Sequence, residues 1–214
     1  MSRPSAALPL RPETPAAIES RALGTLAYIR ASIEASSSMD LPGMAGIVMG
    51  IIGLLAAAVV SLPRCAPHWL GIWLGAAAVA LVLGGALVAR QYVQRGHARY
   101  LGPARKFLLC LCPALLAGAV LTWVLGGAGQ TGVLPGMWLL LYGCAVLSAS
   151  TVTAAGIARL IGAMGALFVA LGSLTFALPR TEHTVMLGLG FGAVHVIFGI
   201  LIGRSSHDRS RHAP

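Results

Sequence analysis

Charge is what this 214-residue chain has least of. Only 10% of its residues are charged, against about 25% in an ordinary soluble domain. Acids are scarcest. The six carboxylates, Glu13, Glu19, Glu34, Asp40, Glu182 and Asp208, all fall outside the long apolar runs, so no paired-carboxylate acid–base site can be built within those runs. Cysteine is also sparse, with four in the chain. Cys110 and Cys112 are two residues apart, roughly 200° on a helix, and so cannot chelate one metal together. There is no HExxH, no GxGD-like acid pair, no Gly-x-Ser-x-Gly elbow and no P-loop, which removes the usual signatures of hydrolases and nucleotide-binding enzymes. A haem held between helices commonly takes two axial ligands, and His195 is the only histidine deep in an apolar run. Neither an enzyme nor a bound cofactor or metal is expected.

Apolar residues fill the space that charge leaves. Hydrophobic residues make up 57% of the chain and its mean hydropathy is +0.83, more apolar surface than a soluble core of this size can bury. Six runs, about 43–62, 68–89, 106–126, 135–156, 160–178 and 184–203, are long enough to cross a hydrocarbon core of about 30 Å. Pro42-Gly43, Pro63-Arg64, Gly126-Gly127, Pro135-Gly136 and Pro179-Arg180 mark their boundaries. Only Gly156-Ile157-Ala158-Arg159 separates the fourth run from the fifth, which predicts a tight hairpin there. The expected fold is an all-α integral membrane protein, with six transmembrane helices in a compact bundle (41–204) between a 40-residue N-terminal tail and a basic C-terminal tail (205–214).

Within the N-terminal tail, Thr14-Pro15 offers an N-cap followed by proline at the first helical position. Ile18, Ala22, Leu26, Ile29 and Ile33 then recur at helical spacing, with Glu19, Arg30 and Glu34 off that stripe. This predicts a short cytosolic amphipathic helix at 15–36, able to lie on the membrane surface, dock on the bundle or meet a protein partner.

The net charge of +9 reads as a topology signal and an attraction to anionic lipid rather than as nucleic-acid binding. With six spans and an inner N-terminus, the inner segments hold 13 of the 15 Lys and Arg residues, and the outer loops only Arg64 and Arg180. Trp69, Trp73, Trp123 and Trp138 all fall at outer span ends, as an interfacial aromatic belt would. Both termini are therefore expected in the cytoplasm. Anionic headgroups are expected at 90–106 and at the C-terminal tail. Cys65 alone would face the oxidising side, so no intrachain disulfide is expected.

Small residues recur on single helix faces: Gly46, Gly50, Gly53 and Ala57 in the first span, Gly71 and Gly75 in the second, and Gly188, Gly192, Gly199 and Gly203 in the sixth. Such faces allow close helix approach in lipid and would serve a homo-oligomer as well as a monomer. At about 100° per residue His195 shares the face of the sixth-span glycines. It is the leading candidate for a polar interior or pathway residue, with Ser148 or Thr151 of the fourth span as hydrogen-bond partner and Pro113 as a kink in the third. Leu41-Pro42-Gly43-Met44 and Leu134-Pro135-Gly136-Met137 open the first and fourth spans alike, as an inverted three-plus-three repeat would, although the remaining spans show no matching pattern.

Tyr28-Ile29-Arg30, the stretch from Leu134 to Gly143 and the stretch from Gly190 to Gly199 resemble small bacterial multi-span membrane proteins of unassigned function. The resemblance implies a bacterial cytoplasmic membrane and supplies no activity or site residue. The expected role is a non-catalytic scaffold, sensor or regulatory membrane component. The alternative is a small secondary transporter or channel with a path near His195.

Overall fold

The computed structural model describes Arg21, residues 23–26, Tyr28, residues 41–95 and residues 101–211. Of the amphipathic helix expected at 15–36, the described residues are helical and the others lie outside the described set. The chain divides into two units, 1–36 and 37–214, and the long apolar runs all belong to the second.

Among the described residues this second unit is all-helical, with six helices long and apolar enough to cross a membrane. These are α1 (Gly43–Val60), α2 (Trp69–Arg95), α3 (Leu101–Gly127), α4 (Leu134–Ser150), α5 (Ala155–Ala177) and a composite sixth span. The sixth span runs through α6 (His183–Leu187), a π-helical segment (Gly188–Val194) and α7 (His195–Arg211). The helices follow one another around the bundle in chain order. Helix α1 packs on α2, α3 on α4 and α4 on α5, while the sixth span closes the ring against α1 on one side and α4 and α5 on the other. No extended contact joins α2 to α3. Sequential packing of this kind gives the same order with or without an internal repeat.

Local chemistry sets the turns. Gly129, the one described residue with positive φ (73°), ends α3. The Gln130 N–H donates to the Leu125 carbonyl and the Gly129 N–H to that of Gly126, a Schellman arrangement that requires the left-handed conformation glycine accepts. The break between α4 and α5 falls at residues 151–154, upstream of the expected Gly156–Arg159, which is helical. Hydroxyls explain the shift. Ser150, Thr151 and Thr153 donate to the carbonyls of Leu147, Ser148 and Ser150, satisfying the acceptors that a helix leaves open at its C-terminus. Pro113 lies inside an unbroken α3.

Two glycine seams hold the bundle. In the first, Gly43, Gly46, Gly50 and Gly53 of α1 meet the backbone of the sixth span. A Cβ on Gly50 would sit 2.7 Å from the Gly192 carbonyl oxygen and the Val196 nitrogen, and one on Gly199 at 2.7 Å from the Ile47 nitrogen. Gly188 and Gly192 face Ala57 and Leu54 of α1, and the backbone of Gly203 lies against Gly43. The second seam joins α4 to α5. A Cβ on Gly143 would meet the Val169 nitrogen, and one on Gly165 the Leu147 nitrogen, each at 2.7 Å. A Cβ on Gly172 would meet the Leu140 nitrogen at the same distance, and Gly136 faces the Phe176 ring. Gly71 and Gly75, expected in a packing face, are exposed with nothing within 4 Å of a built Cβ. Helix α2 instead approaches α1 through Gly84, against Met49 Sδ.

The two ends of the bundle differ in charge. Gly43 meets Gly203, and Ser205 Oγ lies 3.4 Å from the Gly156 carbonyl, so the start of α1, the start of α5 and the end of α7 share one end. Arg90, Arg105, Lys106, Arg159 and Arg204 belong to helix termini at that end. At the other end the Trp69 and Trp138 rings lie 6.0 Å apart, and the Arg180 guanidinium lies against Gly132.

Candidate functional site

The sixth span positions the one histidine deep in the apolar runs. Its π-helical segment contains Gly188, Gly190 and Gly192, which keep the backbone bare on both sides. Gly190 fits against Leu139 and Phe168, and Gly192 against Leu54. In an α-helix residues five apart lie roughly 140° apart, whereas the i to i+5 pattern of a π-helix brings them onto one face. Gly190 and His195 are such a pair. His195 Nδ1 lies 3.3 Å from the Gly190 carbonyl oxygen.

A carbonyl can only accept, so Nδ1 carries the hydrogen and donates it. In the neutral ring Nε2 is then the acceptor. Tyr142 Oη of α4 lies 2.7 Å from it and donates its O–H. The chain of donors is directional: His195 Nδ1–H to the Gly190 carbonyl, Tyr142 O–H to His195 Nε2. The phenol oxygen keeps acceptor capacity and has no hydrogen left to give.

Aromatic rings enclose the pair. Around His195 stand Tyr142 at 5.2 Å between centroids, Phe168 edge-on at 5.2 Å and Phe191 stacked at 6.2 Å. Tyr142 and Phe168 are themselves 4.8 Å apart. His195 is 3% exposed and Phe168 fully buried, while Tyr142 is half-buried. Tyr142 and His195 both border the space beyond.

That space is a cavity of about 400 Å³. Met49 and Ile52 of α1 bound it, with Trp73 and Ala77 of α2, Ala114 and Gly118 of α3, Trp138 and Tyr142 of α4, and Phe191 and His195 of the sixth span. The cavity is partly open. Its lining contains no carboxylate, lysine, arginine, serine or cysteine. Thr122 is satisfied: it donates to the Gly118 carbonyl at 2.6 Å and accepts the Trp138 indole N–H at 2.8 Å. Trp73, 4% exposed, has an indole nitrogen with no partner among the described residues.

Of the residues expected around His195, the structure brings none to it. Ser148 and Thr151 are exposed, and the Thr151 hydroxyl is bonded within its own helix. They lie six and nine residues beyond Tyr142, roughly 240° and 180° around the helix, so neither can share its face. Cys144 of the same helix is exposed as well. Pro113 is exposed and lies off the cavity lining. His195 also departs from the glycine face it was expected to share: its backbone oxygen runs beside Gly46, but its ring turns away from α1 toward Tyr142. Tyr142, the partner that composition concealed, was legible only as an aromatic residue of a span.

Comparison with protein families, with curated proteins and with solved structures gives no match for this chain.

Proposed function

We propose that the chain is a non-catalytic, multi-pass protein of the bacterial cytoplasmic membrane that binds a small apolar molecule inside the bilayer and acts as a sensor or regulatory component. The observation that carries this reading is the aromatic cavity with the Tyr142–His195 pair on its wall. Its volume falls within the range of small-molecule sites, and its apolar lining with few convergent polar groups suits a ligand rather than a reaction.

The charge asymmetry between the two bundle ends supports placing both termini in the cytoplasm. The basic end, with segment 90–106 and the C-terminal tail, then faces anionic headgroups, and segment 15–36 is available to a protein partner. The test is deletion of residues 1–36 in cells. The reading expects loss of partner interactions while purified protein still binds the apolar probe diphenylhexatriene saturably. Intact function and intact interactions after the deletion would exclude a regulatory role.

A small transporter or channel is the second reading, favoured by the π-helical segment, a feature common at functional sites, in the wall of the cavity. It expects movement of protons or solute by proteoliposomes that His195→Ala reduces. No flux above empty liposomes removes it.

A further inference from the structure

We infer that the cavity selects a bilayer-dissolved ring compound that carries a hydroxyl group, and that it does so because Tyr142 is locked as a hydrogen-bond acceptor. The inference rests on the cavity-binding reading and specifies its ligand.

Three observations converge. Trp73, Trp138, Tyr142 and Phe191 line the space, and aromatic walls favour a flat ring through offset and edge contacts. The cavity is also partly open, which leaves a way in for a molecule dissolved in the surrounding lipid. The third observation is the direction of the hydrogen-bond chain. The Gly190 carbonyl, 3.3 Å from His195 Nδ1, fixes Nε2 of the neutral imidazole as an acceptor. That in turn commits the Tyr142 hydrogen, at 2.7 Å. What Tyr142 presents to the cavity is a lone pair. A ligand hydroxyl satisfies it and satisfies itself. A ligand ether or ketone at the same place brings two acceptors together.

The source of the occupant matters, because phospholipid acyl chains could also fill an apolar cleft. They carry no donor, so the hydroxyl distinguishes the two.

The test compares 4-octylphenol, its methyl ether 4-octylanisole and octylbenzene as ligands of the full-length protein. Bound molecules are counted by native mass spectrometry after release from detergent micelles. Wild type should bind the phenol about tenfold more tightly than the ether or the hydrocarbon, the scale of one well-placed hydrogen bond. In His195→Phe the Tyr142 hydroxyl loses its acceptor and is free to donate, so the preference should shift from the phenol toward the ether. A role of His195 in packing alone would weaken all three compounds together and leave their order unchanged. Tyr142→Phe controls for folding and should lower the phenol preference without abolishing hydrocarbon binding. Equal binding of all three by wild type would overturn the inference and identify a plain hydrocarbon site, the place of an acyl chain, while leaving cavity binding intact. No saturable binding of any of them would remove the cavity reading itself.

Discussion

His195 draws its environment from three elements at once: a carbonyl five residues back in its own span, a phenol from α4 and rings from α4, α5 and the π segment. A buried imidazole with both nitrogens engaged costs little, and one left with an orphan nitrogen costs more. Tyr142→Phe should therefore destabilise the protein by about 1 kcal/mol, as hydrogen bonds between membrane helices commonly do. Combined with His195→Phe, the two losses should fall short of their sum by a similar amount, because each substitution already breaks the shared bond. Unfolding in a graded mixture of mild detergent and dodecyl sulfate measures both; strict additivity would mean that the pair is a contact without energy. At this scale the sequence disclosed His195 through its isolation in an apolar run. It hid Tyr142, because a tyrosine in a span reads first as apolar bulk. Ser148 and Thr151 drew attention as polar residues, yet their helical phase, countable from any chosen face, already set them apart from Tyr142.

Between helices, glycine decides which faces meet, and not every glycine motif is used. The α1 ladder was legible because spacings of three and four keep residues on one stripe. The α4–α5 seam was not, since Gly136 and Gly143, and Gly165 and Gly172, stand seven residues apart and look sparse, although two full turns return them to the same side. Gly71 and Gly75 have the most familiar spacing and touch nothing within 4 Å of a built Cβ. Substitution separates these cases. Gly50→Ala and Gly165→Ala each place a methyl group within 2.7 Å of backbone nitrogen and should cost about 2 kcal/mol through forced separation of helices. Gly71→Ala should be neutral or slightly stabilising, because alanine is the better helix former. The same unfolding assay ranks them, and a loss at Gly71 equal to that at Gly50 would place a second chain or another helix on that face.

Within the unit 37–214 the helices pack in chain order and the last span returns to α1. The six spans followed from hydropathy alone, because an apolar run of about 20 residues has few other uses. The turn between α4 and α5 did not, since side-chain hydroxyls rather than hydropathy end α4. Orientation can be tested with a membrane-impermeant maleimide on intact cells. In a background with the four cysteines replaced by serine, Arg64→Cys should be labelled from outside, and Arg105→Cys only after the membrane is opened. The reverse pattern would invert the topology.

The π segment has a consequence for inheritance. A π turn carries one residue more than an α turn, so residues 188–194 take up an extra residue in an otherwise regular helix. Glycines within the segment and after it meet α1, Gly192 against Leu54 and Gly199 against the Ile47 nitrogen, while His195 at its exit turns its ring toward Tyr142 of α4. Loss of a single codon there would restore an ordinary helix and leave everything downstream in nearly the same phase, because seven π residues turn through about as much as six α residues. What would be lost is the i to i+5 bond between His195 and the Gly190 carbonyl, which needs the extra residue. The glycine seam can therefore survive a one-residue change in length at this place, whereas the hydrogen bond that fixes the imidazole cannot.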